Sequence, residues 1–280
     1  MSATRVITLP HGLWDGNRRR SSAELRSPTG ADEAFLLTAG GLSRAEQVTE
    51  LLARCVVRVD ELPGGNDLAR ALTVGDREAL LLHLRADAFG DQLACTLDCS
   101  ACGERMDVDL CVSDLLLGPY DEVSDRHEVE LDADGVHGEA VVRLATGADL
   151  EAAARQGDRE GGLEELVRRC VLELRAADEP APLALADALS EPLAELDPQA
   201  EITIEAVCPS CGVELSGLVD AATVLFAELT ASDERLLREV DAIARVYHWG
   251  EDEILGLDVH RRRRYLELLS ETDDEGRSGA

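Results

Sequence analysis

Two short stretches of the chain carry the same turn motif. The first is "CSACGERMDVDL", Cys99–Leu110, and the second is "CPSCGVELSGLV", Cys208–Val219. Each contains a Cys-x-x-Cys-Gly turn followed by alternating apolar and polar residues, and this alternation predicts a strand. Two thiolates at this spacing approach one metal ion from a tight turn, and the glycine lets backbone amides point at sulfur. Each stretch is therefore typical of a metal-binding knuckle between two strands.

Two such knuckles complete a tetrahedral site with four sulfur ligands, as in zinc ribbons. We therefore predict that Cys99, Cys102, Cys208 and Cys211 bind one structural Zn²⁺ per chain. Such a closed site holds protein segments together and leaves no open position for catalysis.

Three alternatives to this site remain open at the level of sequence. Four nearby cysteines, Cys95, Cys99, Cys102 and Cys111, offer a local site within the first stretch. A redox Cys-x-x-Cys pair normally opens a helix after a strand, whereas here a polar alternating strand follows. The paired turns are also compatible with a fold that has lost its metal.

The knuckles belong to a longer internal repeat. "LRSPTGADEAFLL", Leu25–Leu37, is echoed by "VRLATGADLEAAA", Val142–Ala154. "LLARCVVRVD", Leu51–Asp60, is echoed by "LVRRCVLELR", Leu166–Arg175. The knuckles follow in the same order, so we predict a duplicated chain in which each copy supplies half of the metal site.

Each copy is expected to begin with a two-stranded hairpin and to continue with helices. Thr29 and Thr146 stand before helical patterns in good N-cap positions, and we interpret "TGAD" as a cap rather than a phosphate-binding turn. A second helix carries Cys55 or Cys170 on an apolar face, where a cysteine acts as a small buried hydrophobe.

Three further segments complete the expected element order. A helix is predicted in Leu72–Asp91, ending near Gly90, with His83 packed rather than catalytic. The Pro- and Ala-rich residues 176–198 predict a loop with one helical turn at most. Helical patterns dominate after Asp220.

These observations predict an α+β fold of duplicated strand-hairpin, helix and zinc-knuckle units, joined as a zinc-ribbon-like body with a helical C-terminal segment. The expected divisions are a first repeat over residues 1–118, a second repeat over 119–220, a helical segment over 221–271 and a disordered tail over 272–280.

The composition excludes several classes of partner. The formal net charge is -30, which disfavours nucleic acids and anionic membranes and suits a basic protein partner. Hydrophobic residues make up 45% of the chain, enough for a packed core, while aromatic residues make up only 3%. We find no secretory segment and no apolar run long enough to span a bilayer, so the expected location is the cytoplasm with reduced thiols.

No enzyme signature stands out in the sequence. A nucleotide phosphate loop, a His-Glu-x-x-His zinc motif, a Gly-x-Ser-x-Gly elbow and a dinucleotide fingerprint are all missing. We therefore expect a protein without catalytic residues.

Two features near the C-terminus suggest a partner surface. "YHWGEDEIL", Tyr247–Leu255, concentrates bulky rings in a ring-poor chain, and "HRRRRYLELL", His260–Leu269, places four Arg in an acidic one. Aromatic residues and Arg are favoured at interface centres, so Tyr247, Trp249, Arg261 and Arg262 are the candidate contacts. The alternative is that the ring of Trp249 packs on the body and the Arg side chains pair with nearby acids.

Together these motifs resemble the T4-type phage baseplate hub assembly chaperones, which also occur in phage-tail-like contractile injection systems. The resemblance spans about Arg5 to Leu269 and rests above all on "LTVGDREALLLHLRADAFGD", Leu72–Asp91, leading into a knuckle, and on the "YHW" segment. The latter also resembles chaperones of tape-measure proteins.

The resemblance implies a non-enzymatic assembly factor whose partners are baseplate hub, spike or tape-measure proteins. It implies no catalytic residue. The alternatives are a tape-measure chaperone, a permanent baseplate component and, from another class, a zinc-ribbon regulatory module.

Overall fold

The first half of the chain forms a four-stranded antiparallel sheet backed by helices. The computed structural model describes residues 4–120, 122–133, 135–176, 178, 180–231 and 233–278. Strands pair in the order β1-β2-β3-β4, and β5 and β6 form a separate hairpin. The elements are β1 Thr4–Asp15, β2 Arg18–Arg26, α1 Gly30–Thr38, α2 Arg44–Cys55, β3 Val56–Val59, β4 Leu62–Pro63, α3 Asn66–Ala71, α4 Val74–Phe89, β5 Gln92–Asp98, β6 Arg105–Cys111 and α5 Val112–Leu115.

The second half repeats much of this order. Its strands form a three-stranded antiparallel sheet, β7-β8-β9, and a second hairpin, β10-β11. The elements are β7 His127–Ala133, β8 Val136–Val142, α6 Gly147–Ala154, α7 Arg159–Cys170, β9 Val171–Ala176, α8 Pro182–Leu196, a 3-10 turn Pro198–Ala200, β10 Ile202–Val207 and β11 Glu214–Val219. Four helices follow, α9 Ala221–Leu229, α10 Asp233–Tyr247, α11 Glu251–Leu255 and α12 Val259–Ser278.

The helices α1 and α6 begin with the same capping arrangement. The backbone N–H of Thr29 donates to Asp32, and that of Thr146 donates to Asp149, each at 2.8 Å. An Arg three residues before the capping Thr completes each cap: the guanidiniums of Arg26 and Arg143 lie 2.6 Å from Asp32 and Asp149 respectively. The interpretation of "TGAD" as a helix cap is confirmed. The arrangement is stable because a carboxylate both satisfies the free amides of the first turn and faces the positive end of the helix dipole.

A large hydrophobic core lies between the first sheet and its helices. The apolar faces of β1, β2, α2 and α4 meet there, and Leu225, Phe226 and Leu229 of α9 join them. A second, smaller core forms where α8 covers β7 and β8. Cys55 and Cys170 end α2 and α7 and are buried, as the sequence predicted.

One local prediction differs from the structure, and one pair of strands was not predicted. Residues 176–198 contain a helix of 15 residues, α8, because Leu185 and Leu189 form an apolar face that the second sheet needs as cover, and Pro182 stands in its first turn. The segments after Cys55 and Cys170 leave the helix at once as β3 and β9, which pair with β2 and β8. Their β-branched and apolar residues favour a strand when a hairpin edge is available.

The C-terminal part also divides differently from expectation. Since α9 packs in the first core, the C-terminal helices that contribute little to that core are α10 to α12, of which Val259 of α12 is the one described residue in it. The last helix continues to Ser278, where the sequence predicted a loose tail from residue 272. No helix of the described chain has the length and apolarity needed to cross a membrane.

Candidate metal centre

The two Cys-x-x-Cys-Gly turns adopt the same backbone conformation. The N–H of Gly103 donates to the carbonyl of Cys99 at 2.8 Å, and the N–H of Gly212 donates to that of Cys208 at 2.9 Å. Both glycines have φ of 75°, the left-handed region that other residues rarely adopt. This requirement explains the glycine that follows each Cys-x-x-Cys motif.

The β5–β6 and β10–β11 hairpins lie against each other and bring the turns together. A Cβ atom on Gly217 of β11 would lie 2.5 Å from Leu97 Cδ2 of β5, so glycine permits the close approach of the hairpins. At the tip, the Sγ atoms of Cys99 and Cys211 are 3.7 Å apart, and those of Cys102 and Cys208 are 3.6 Å apart. All four Sγ atoms lie within 4.8 Å of one another.

Backbone amides already favour a thiolate in this cluster. Amides of Cys102 and Ala101 donate to the sulfur of Cys99 and lower the pKa of its thiol to about 7. The amide of Glu104 acts in the same direction on Cys102, but hydrogen bonds with neighbouring sulfurs outweigh it and raise the pKa of Cys102 to about 12. Four thiolates therefore need a cation between them.

The donor set fits a tetrahedral zinc ion. Zn–S bonds of about 2.3 Å place the sulfurs of a tetrahedron about 3.8 Å apart, close to the two distances between the hairpins. Cys99 and Cys208 are buried, whereas Cys102 and Cys211 are exposed at the tip. The four cysteines can thus hold a metal ion that links the two halves of the chain.

The alternative sites find less support in this geometry. Cys95 and Cys111 lie within strands β5 and β6, and the described part of the chain shows no second cluster of potential metal ligands. Neither Cys-x-x-Cys pair opens a helix, as a redox motif of the thioredoxin type would.

The predicted partner surface contains a compact aromatic cluster. The rings of Tyr247 and Trp249 lie 5.4 Å apart, and Tyr265 of α12 lies 5.2 Å and 5.0 Å from them. All three side chains are half-buried, and Val246 beside them is 56% exposed. The rings therefore cover the junction of α10 and α12 while part of each faces solvent.

The two arginines of this prediction separate in the structure. Arg261 is exposed. Arg262 is fully buried and forms ion pairs with Glu33 and Glu239, so it is not available to a partner in this arrangement. Neighbouring residues of a helix point in different directions, and only the position of α1 decides which arginine is covered.

The alternative that the arginines pair with acids holds for Arg262, but the sequence did not identify the ion-pair cluster of Glu33, Arg235, Glu239 and Arg262. Arg235 lies 2.7 Å from Glu33 and 2.8 Å from Glu239, and Arg262 lies 3.1 Å from Glu239. The sequence contained a signal for the position of Arg262. The segment "GEDEILGLDVHRR", 250–262, has its Gly, Leu, Val and last Arg at the same spacing as the segment "GNDLARALTVGDR", 65–77.

Comparison with known proteins gives one family match. Residues 8–144 match the family described as T4 bacteriophage base plate protein. The match covers most of the first sheet, its helices, the first knuckle and the hairpin β7–β8, which is just under half of the chain. It supports a relation to phage baseplate proteins.

The remainder of the expected resemblance lies outside that match. The second knuckle and the "YHW" segment are not covered by residues 8–144. No curated protein and no solved structure matches the chain.

Proposed function

We propose that this protein is a non-enzymatic assembly factor for the baseplate hub of a contractile phage tail or a related injection system. It binds an unassembled hub, spike or tape-measure protein in the cytoplasm and is absent from the finished particle. The observation that carries the proposal is the match of residues 8–144 to phage base plate proteins.

The architecture supports a binding role for the chain. Two sheets and two knuckled hairpins form a body, and a structural zinc ion held by Cys99, Cys102, Cys208 and Cys211 fixes how its halves meet. The similar order of elements around the two caps supports the proposal that these halves arose by duplication. A closed site of four sulfurs stabilises structure and does not activate water.

The aromatic cluster of Tyr247, Trp249 and Tyr265, with Arg261, is the proposed partner surface. Rings that are half-exposed offer large contact areas with little loss of side-chain entropy on binding. The net charge of -30 speeds encounter with a basic partner and keeps the free protein soluble.

The proposal is tested by capture of partners from cells that are assembling particles. Tagged full-length protein is recovered together with its bound proteins, and purified particles are analysed in parallel by mass spectrometry. We expect baseplate hub, spike or tape-measure proteins in stoichiometric amounts with the tagged chain, and none of the chain in particles.

Substitutions in the proposed partner surface test whether that surface binds the partner. Trp249→Ala and Arg261→Ala should reduce partner recovery, while Val6→Ala, a change at a 63% exposed apolar residue on β1, serves as the matched control. Failure to recover any tail component with the unchanged protein contradicts the proposal. Equal recovery of the partner by all variants would show that the partner binds to another part of the protein surface.

The second candidate is a permanent component of the baseplate, which the same family match favours equally. It predicts the chain in purified particles at a fixed ratio to other baseplate proteins.

The metal is tested separately by elemental analysis of protein purified without chelator. We expect about one zinc per chain, lost in Cys208→Ser and also in Cys102→Ser, because the site needs both turns. Zinc retained in Cys208→Ser would instead place the metal within the first turn and its neighbours.

A further inference from the structure

A cleft with mainly apolar walls lies where the two halves of the chain meet. It is lined by Val48 of α2, Val74 of α4, Leu150 of α6, Ala200 of the 3-10 turn and Leu218 of β11. The cleft has a volume of about 340 Å³, and Leu218 in its wall is 64% exposed. A cleft of this kind is large enough to receive a long side chain from another molecule.

A carboxyl group of this cleft has no cation paired with it. Glu78 of α4 is half-buried, and the backbone amide of Ala221 donates to its Oε2 at 3.2 Å. Within the described part of the chain, no arginine or histidine forms an ion pair or a hydrogen bond with Glu78. A half-buried carboxylate in apolar surroundings is costly without such a partner.

The charges that face Glu78 make its surroundings negative. Asp220 also lines the cleft, and Asp197 acts from the residue before the 3-10 turn. Burial and Asp220 raise the pKa of Glu78 to about 7, and the effect of Asp220 exceeds the opposing effect of Arg77. A cation beside Glu78 is therefore attracted more strongly than it is repelled.

Two arginines line the cleft as well, but their guanidiniums are engaged elsewhere. That of Arg77 donates to two backbone carbonyls at 2.7 Å and 3.0 Å. That of Arg44 lies over the ring of Phe226, 4.8 Å from its centre. Since neither arginine pairs with Glu78, a cation for this carboxylate has to come from another molecule.

We propose that this cleft binds a lysine side chain of the partner protein, with its methylene groups on the apolar wall and its ammonium beside Glu78 and Asp220. One oxygen of Glu78 already accepts from a backbone amide, so the point charge of lysine fits better than the planar fork of arginine. Long cationic side chains commonly lay their methylene groups on apolar surface. The inference rests on the proposed function and adds to it the chemistry of one partner contact.

The chain itself cannot supply this lysine. All of its basic side chains other than histidine are arginines, so a second copy is excluded as the donor for the same reason. A lysine-rich surface is also what a net charge of -30 attracts. The lysine therefore belongs to a different protein.

Binding of a capped lysine to the full-length protein tests the cleft without the partner. The probe is Nα-acetyl-lysine N-methylamide, and the same compound with norleucine in place of lysine is the control without an ammonium. Methyl signals of Leu218 and Val74 are followed by NMR at pH 8. We expect the lysine probe to bind at least about tenfold more tightly than the norleucine probe. Equal affinities, or no shift of these signals with either probe, would overturn the proposal.

Removal of the charge on Glu78 tests the role of this carboxylate. Glu78→Gln should bring the affinity of the lysine probe down to that of the norleucine probe, while Glu130→Gln, at an exposed residue of β7, should leave the preference unchanged. In the unchanged protein the preference should fall by at least about fivefold from pH 8 to pH 5, because Glu78 takes up a proton over this range. A preference that persists in Glu78→Gln and at pH 5 would refute the assignment.

Cross-linking of the captured complex relates this site to the proposed function. A carbodiimide activates a carboxyl group, and the amine of a nearby lysine then forms an amide with it. Because the chain contains no lysine, every such amide identifies a lysine of the partner. We expect Glu78 or Asp220 among the linked carboxyl groups. A captured tail protein that is linked only at other carboxyl groups would overturn the lysine site and leave the proposed function standing. Binding of the lysine probe without capture of any tail protein would support the site and contradict the proposed function.

Discussion

Two carboxylates with little access to solvent, Glu78 and Asp76, have raised pKa values. Burial of Glu78, together with the nearby charge of Asp220, raises its pKa to about 7, although the amide of Ala221 donates to it. Burial likewise raises the pKa of Asp76 to about 6. Both groups bind protons more tightly in the folded chain than in the unfolded one, so their contribution to the free energy of folding is more favourable in mild acid than at higher pH.

Glu78→Gln should remove much of this dependence. The stabilisation from protonated Glu78 is complete below about pH 4.5 and is lost as the pH rises through about 7, so this contribution to stability disappears between about pH 5 and pH 8. The variant keeps the oxygen that accepts from Ala221 and should gain about 1–3 kcal/mol at pH 8. Urea unfolding at both pH values measures this, with exposed Glu130→Gln as control. Parallel pH profiles for Glu78→Gln and the unchanged protein would contradict the prediction.

Two adjacent arginines should respond differently to truncation. Arg262→Ala leaves Glu33 buried with less compensation and should lower the free energy of unfolding by about 3–5 kcal/mol. Arg261→Ala changes an exposed side chain and should cost less than about 0.5 kcal/mol. Thermal and urea unfolding of the pair test this. Equal losses would mean that the buried ion pairs do not hold the C-terminal helices.

The stability of helices in this fold depends on how closely other parts of the chain approach their first turns. At Gly147 of α6, an added Cβ would lie 2.1 Å from Arg77 Nη1 and 3.1 Å from the carbonyl oxygen of Ala69. That guanidinium is held in place by the carbonyl of Ala69 at 2.7 Å and that of Ala45 at 3.0 Å. The Arg therefore cannot move aside without losing buried hydrogen bonds.

Gly147→Ala should accordingly destabilise the protein by about 1–3 kcal/mol, despite the better helix propensity of alanine. Gly30→Ala should cost less, since its nearest neighbours would lie at 3.0 Å. Gly41→Ala, with nothing within 4 Å, is the neutral control. Calorimetric melting temperatures should follow this order, and a Gly147→Ala protein as stable as Gly41→Ala would refute the steric account.

Two of the contacts that join the halves of the molecule differ in character. At the first, the hairpins β5–β6 and β10–β11 meet through the four cysteines at their tips. At the second, helix α9, which follows the second knuckle in the chain, packs with α2 and α4 in the first core. The second connection is apolar and large, so the halves remain together when the first is lost.

Removal of metal should therefore loosen the hairpins and leave the body folded. With a strong chelator, we expect amides such as those of Gly103 and Gly212 to lose protection from hydrogen exchange, while amides of α4 stay protected. Circular dichroism should change little. Complete unfolding on chelation would show that the metal stabilises the body too, and unchanged exchange would argue against a bound metal.

Local signals in the sequence were sufficient for the turns, the caps and the buried helix cysteines. A Cys-x-x-Cys-Gly turn needs glycine at φ of 75°, and Thr before Gly-Ala-Asp caps a helix through contacts only three residues apart. Such preferences belong to a few neighbouring residues, so they can be predicted without the rest of the fold.

Long-range packing decided the features that the sequence left open or predicted differently. The helix α8 forms because a sheet needs its leucines as cover, and β3 and β9 form because a hairpin offers them an edge. Arg262 is interior and Arg261 is exposed only because α1 lies against one side of α12. Burial is a property of the assembled surfaces, since the free energy of a side chain depends on what it contacts after the distant parts of the chain have met.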